Sequence, residues 1–133
     1  MTTVERTISN QVNDVFEDIK QTRNTDYINN FWKDLSHDEK SLEETWSQVK
    51  KIMSDGKISY LYKEMIYVAV SIMNNCDYCI HTHTLAARKA GMTDEMYSEF
   101  MQVVLLANKT NAMATAMSCE VDERFDVSKR KEV

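Results

Sequence analysis

Proline is absent from this sequence, and glycine occurs at two positions, Gly56 and Gly91. Proline breaks helix interiors and glycine weakens them, so their scarcity points to an all-α chain. Long apolar runs are missing too. The longest, MIYVAV at 65–70, falls far short of the ~20 residues that span a bilayer. The start, MTTVERTISNQ, has no apolar stretch of the kind a secretion signal carries. Membrane insertion and secretion are therefore not expected, and the reading is a soluble, cytoplasmic protein.

Positive charge is also scarce. Lys and Arg number 16 against 21 Asp and Glu, a formal net charge of −5, and the basic residues form no long run. The tail SKRKEV is locally basic, but it follows the acidic EVDERFD. Nucleic-acid binding needs a clustered positive face, so it is not expected. Three cysteines without a secretion signal do not make a disulfide scaffold. A close cysteine pair in a reducing compartment more often binds a metal or does chemistry.

What is present fits one globular domain. The chain has 133 residues, 43% apolar and 28% charged. Residues 1–120 are expected to form the helical domain, with a core motif at 60–91 and a charged, frayed tail at 121–133. The nine methionines read as adaptable core filler. Apolar spacing predicts about six to seven helices, the first over 4–22 from Val4 and Ile8 onward. Asn24 or Thr25 is expected to cap a short helix through Trp32. Ser36 with Glu39, or Ser41 with Glu44, would open a third that ends near Met53 at Asp55-Gly56. Ser59 would cap a helix over 60–73, a fifth would run over 76–90 to Gly91, and Thr93 would cap a sixth to about Ala107. The NKTN at 108–111 is expected to separate it from a last helix at 112–119. Trp32, Trp46 and Phe100 fall on apolar faces and are expected in the core or an interface.

The stretch NNCDYCIHTHTLAARKAG, 74–91, carries the chemistry-bearing residues. At about 100° per residue from Cys76, Cys79 falls near −60° and His83 near −20°. They share a stripe with Ile80, Ala86, Ala87 and Ala90. His81 falls near +140° on the same wheel, on the polar side, and reads as a solvated residue. In the preceding helix, MIYVAVSIM is apolar on nearly every face and is expected to be buried. Its polar side groups, Glu64, Tyr67 and Ser71, share one side. An antiparallel hairpin about Asn74-Asn75 would bring Glu64 and His83 level within roughly 3 Å. The helix start favours a thiolate, and His83 could take a proton while Glu64 orients it. A second cysteine three residues away can close a disulfide.

The pattern E-x11-C-x2-C-x3-H, made by Glu64, Cys76, Cys79 and His83, resembles the carboxymuconolactone decarboxylase and alkylhydroperoxidase D (AhpD-like) family. The resemblance covers Lys63 to Gly91 strongly. It implies an all-α fold in a homo-oligomer, a trimer or trimer of dimers, and reduction of a hydroperoxide substrate without cofactor or metal. It also implies that Cys79 attacks the peroxide and passes through a sulfenic acid. Cys76 would resolve it as a disulfide and face a dithiol or thioredoxin-like electron donor. Glu64 and His83 would relay protons. The decarboxylase branch lacks the cysteine pair, so the resemblance is to the peroxidase-like branch. Well-known peroxidase members carry a second histidine just before the second cysteine; here Tyr78 stands there.

Two other readings use the same residues. Cys76, Cys79 and His83 are legitimate zinc ligands, with Cys119 or Glu64 as a fourth. Alternatively the chain is a non-catalytic or redox-sensing oligomeric scaffold. Cys119 otherwise reads as an inert thiol.

Overall fold

Helix ends in this chain are fixed by short polar side chains and by residues in the left-handed region. In the computed structural model, which describes residues 9–129, the elements are α1 Asn10–Arg23, α2 Asn30–Leu35, α3 Glu39–Met53, α4 Tyr60–Met73, α5 Asp77–Lys89 and α6 Asp94–Ala116. Two short 3-10 turns, Glu123–Phe125 and Val127–Lys129, follow. Among the described residues the chain is all-α. The expected helix start at Val4 and Ile8 and the last tail residues, 130–133, lie outside the described residues.

Several helix ends differ from expectation. Ser9 caps α1 by accepting from the Val12 N–H. Asn24 does not open α2. It closes α1 at φ 50, and the Thr25 N–H reaches back to the Lys20 carbonyl. Asparagine tolerates that left-handed turn better than most residues do. Asn29 stands at the start of α2, and Asp38, not Ser36 or Ser41, caps α3. Ser36 is occupied in closing α2, its hydroxyl donating to the Lys33 carbonyl. The Asp38 carboxyl accepts from both the Ser41 N–H and its hydroxyl, and those bonds hold it below the usual carboxylate range. α3 leaves the helix at Ser54 in an extended conformation, two residues before Gly56. Gly91, at φ 115, closes α5 and lets the Met92 N–H bond the Ala87 carbonyl.

α6 runs through Asn108–Asn111 without a break. Asn, Lys and Thr cost a helix only a few tenths of a kcal/mol each, and no glycine or proline intervenes. Thr110 returns its hydroxyl to the Ala107 carbonyl.

The chain divides into two compact units, one up to Ser59 and one from Tyr60. In the first, α1 and α2 pack on α3. Its core joins Val12, Ile19, Ile28, Trp32, Leu42 and Trp46. The two indoles meet edge to face at 5.5 Å. Trp46 Nε1–H donates to Asp18 Oδ2 at 2.8 Å, so the buried indole leaves no donor unmet. That bond, with Lys50 alongside, holds the Asp18 carboxyl below the usual range.

The second unit is built on α4 packed against α5. Its buried residues are few: Val68, Ala87, Met92 and Val104, plus the polar Glu64 and Ser71. This corrects two expectations. α4 is not covered all round, since Tyr62, Ile66, Val70 and Met73 are exposed. The methionines are not chiefly core filler either, because Met73, Met113 and Met117 are exposed and Met92 is buried. The open side of α4 and the flank of α6 form an apolar groove of about 530 Å³, lined by Ile66, Val70, Phe100, Val103 and Ala107 among others. Among the described residues, no helix is long and apolar enough to cross a membrane.

Leu42 is fully buried at 0% exposure, in the core it shares with Trp32 and Trp46. Leu42→Ala should lose about 2–5 kcal/mol of unfolding free energy, the usual range for a buried leucine whose cavity cannot collapse. Urea unfolding followed by tryptophan fluorescence measures this. A loss below about 1 kcal/mol would mean the site is not packed as described.

Candidate active site

The turn between α4 and α5 decides where the cysteines sit. Asn75 adopts the left-handed region at φ 55. That conformation lets the Cys76 N–H bond the Ser71 carbonyl at 2.9 Å, closing α4. The Cys76 carbonyl in turn accepts from the Ile80 N–H at 2.9 Å, opening α5. One residue therefore ends one helix and caps the next. Cys79 follows in the first turn of α5, where backbone N–H groups lack helical partners.

Both cysteines are free thiols and partly buried. Burial pushes the Cys79 thiol up to about 11; its hydrogen bond to Cys76 and the like charge of a Cys76 thiolate act in the same direction. All three influences favour the neutral thiol over the thiolate. In the resting dithiol, Cys79 is thus a protonated thiol and needs a base to become a nucleophile.

His83 meets the carboxyl that the hairpin set opposite it. His83 Nδ1 lies 2.6 Å from Glu64 Oε2. The Glu64 side chain is 5% exposed and that of His83 20%, so the pair is screened from water. A carboxyl oxygen accepts, so Nδ1 carries the hydrogen and Nε2 is the nitrogen left for proton exchange. The hairpin expectation holds: Glu64 and His83 meet across α4 and α5. His81 also falls where the helical wheel puts it, exposed, with its Nδ1–H donating to the Asp77 carbonyl.

The structure adds a residue that sequence reasoning placed on the right face but gave no role. The Tyr67 ring stacks on the His83 imidazole, centroids 3.7 Å apart and planes 22° from parallel. Burial raises the Tyr67 phenol above its ordinary value, and the charges of Cys79, Glu64 and Cys76 add to the effect. Ser71, buried, donates its hydroxyl to the Tyr67 carbonyl at 2.7 Å. The signal available was the i, i+3, i+7 spacing of Glu64, Tyr67 and Ser71.

The zinc alternative finds no support in the geometry. Among the described residues, no three His, Cys, Asp or Glu side chains gather into a group that could hold a metal ion. Glu64 is engaged with His83, and Cys119 is exposed beyond the end of α6.

Comparison with known proteins agrees with the helical architecture. A crystal structure of the alkylhydroperoxidase AhpD core from Rhodospirillum rubrum superposes with a TM-score of 0.86 at 42% identity, covering 96% of this chain and 99% of that one. A Paracoccus denitrificans protein described as uncharacterized protein 4 in the cox locus is 35% identical over 54 residues, 41% of this chain. That match spans about half, 49%, of the Paracoccus protein's length. The model of the carboxymuconolactone decarboxylase family matches residues 30–119, and the chain belongs to that family.

Proposed function

We propose that this chain is a thiol-dependent peroxidase that reduces hydroperoxides through Cys79 and Cys76, with Glu64 and His83 moving the protons. The observation that carries the reading is the buried 2.6 Å bond between His83 and Glu64, on the helix pair that holds both thiols. A partly buried thiol that burial holds protonated needs such a base. The likeness to the Rhodospirillum alkylhydroperoxidase core supports the same chemistry.

His83 Nε2 takes the Cys79 proton, and Glu64 offsets the charge on the imidazolium. The thiolate attacks one peroxide oxygen and the O–O bond breaks. Cys79 becomes a sulfenic acid, and the leaving oxygen takes the proton from His83 and departs as an alcohol, or as water from hydrogen peroxide. The Cys76 sulfur then attacks the Cys79 sulfur. The sulfenic oxygen leaves as water with the Cys76 proton, and a disulfide remains. A dithiol or thioredoxin-like donor returns two electrons and two protons. A second reading, a redox sensor that oxidises without turnover, is favoured by one observation: Tyr78 stands where well-known peroxidases carry a further histidine.

We also propose that the chain works as a homo-oligomer. In the second unit Tyr62, Ile66, Val70, Val103, Leu105 and Leu106 are each about half exposed. At about 200 Å² for a large side chain they leave on the order of 600 Å² of apolar surface uncovered on several sides of α4 and α6, against the ~800 Å² each partner of a standard interface contributes.

Mass spectrometry of the protein before and after peroxide tests the first proposal. A Cys76–Cys79 disulfide is expected in the wild type, and a sulfenic acid at Cys79 in Cys76→Ser. Turnover with a dithiol donor separates peroxidase from sensor, and no peroxide consumption with any dithiol would sink the peroxidase reading. Replacing Cys76 also tests the thiol pairing. Cys76→Ala removes two of the three influences that raise Cys79, so its pKa should fall and its alkylation at neutral pH should speed up. An unchanged ultraviolet thiolate titration would contradict the hydrogen bond. For the assembly, light scattering should give a mass that is a multiple of 15.5 kDa, and Val103→Glu should reduce it. A wild-type monomer at micromolar concentration would refute the oligomer.

A further inference from the structure

We propose that Tyr67 is a positioning residue for His83, and that the flat face of its ring, not its hydroxyl, does the positioning. The inference rests on the reading of His83 as the proton acceptor and deepens it.

An imidazole held by a single hydrogen bond keeps a freedom. It can rock about its Cβ–Cγ bond, because the terminal torsion of a histidine side chain is broad. A carboxylate oxygen accepts over a broad range of directions, so a small rotation keeps the Glu64 bond while tilting the ring and moving Nε2. Glu64 at 2.6 Å therefore locates the ring but leaves its plane some angular play. Tyr67 supplies the second constraint. A ring at 3.7 Å and 22° lies flat against the imidazole and blocks rotation out of that plane. One bond and one stacked face together determine where Nε2 sits.

The support beneath Tyr67 ties this clamp to the cysteines. Its carbonyl accepts the buried Ser71 hydroxyl at 2.7 Å, and the Ser71 carbonyl accepts the Cys76 N–H at 2.9 Å. One backbone stretch of α4 thus carries the residue that orients the imidazole and anchors the turn that carries the first thiol. A shift of α4 moves both together, which preserves their relation. The raised phenol stays protonated near neutral pH, so the clamp adds no charge of its own beside a thiolate. That is why the ring, which phenylalanine shares, is assigned the role.

The test uses reduced full-length protein as wild type, Tyr67→Phe, Tyr67→Leu, His83→Asn and the Tyr67→Leu/His83→Asn double variant. Two rates are read at Cys79 by mass spectrometry: oxidation by hydrogen peroxide and alkylation by iodoacetamide. Thermal unfolding is recorded beside them. Tyr67→Leu should slow both reactions about tenfold, a fraction of what a displaced general base costs. Tyr67→Phe should stay within about twofold of wild type, because it keeps the stacked face. On the His83→Asn background, Tyr67→Leu should add no further loss, since two residues acting through one group are not additive. Should Tyr67→Leu fail to fold, Tyr67→Met replaces it.

Equal losses in the phenylalanine and leucine variants would overturn the inference in favour of the hydroxyl. A Tyr67→Leu rate equal to wild type would overturn it outright, as would a full further loss on the His83→Asn background. The two proposals fail separately. Wild-type protein that is alkylated but not oxidised refutes the peroxidase reading, and the alkylation series still decides the role of Tyr67.

Discussion

A carboxyl group buried to 4% exposure on an otherwise apolar helix must be met by a donor, and much of the second unit follows from how this one is met. Left unpaired, Glu64 would cost α4 several kcal/mol of desolvation. The partner is an imidazole on α5, 2.6 Å away, at a height that the hairpin turn sets. Packing α4 on α5 and satisfying Glu64 are therefore one event. The pairing also leaves Nε2 of His83 as the nitrogen without a partner from Glu64, on the helix that carries Cys79 and follows Cys76.

The turn makes that height reproducible. Asn75 in the left-handed region, the Cys76 N–H on the Ser71 carbonyl, and the Cys76 carbonyl on the Ile80 N–H fix the register between the helices. Cysteine at this junction contributes no side-chain cap, so its sulfur is left to meet Cys79. Chemistry and burial divide around α4. Glu64, Tyr67 and Ser71 take one face, while Ile66, Val70 and Met73 take a separate face and line the apolar groove with α6. At about 100° per residue the centres of the two faces lie roughly 125° apart, so whatever covers the groove does so away from the Glu64–His83 pair.

Much of this was legible in the residues. Helical periodicity separated His83 from His81, because a helix puts positions four apart on one face and positions two apart on different faces. The Glu64–His83 meeting followed from counting rise per residue across a short turn. The first unit's tryptophans were readable as core for the same reason. Helix ends were less legible. Asn24, Ser36 and Asp38 are all good caps by type, and which one serves depends on where the neighbouring helix stops. α6 looked interrupted at Asn108–Asn111 because polar residues cluster there, yet nothing in them forbids helix. The exposure of α4 and of the methionines was not legible, since hydropathy says a face seeks cover but not what covers it.

By itself, the sequence determined an all-helical chain, the inward stripe of Cys76, Cys79 and His83, and the carboxyl that would face it. These depend on local geometry, a fixed turn per residue and the lack of helix breakers. Only the tertiary structure decided the stacking of Tyr67 on His83, the thiol hydrogen bond that helps hold Cys79 near 11, and the open apolar side of α4. Those depend on the rotation of one helix about another and on the depth of each side chain. Periodicity leaves both free, and packing settles them.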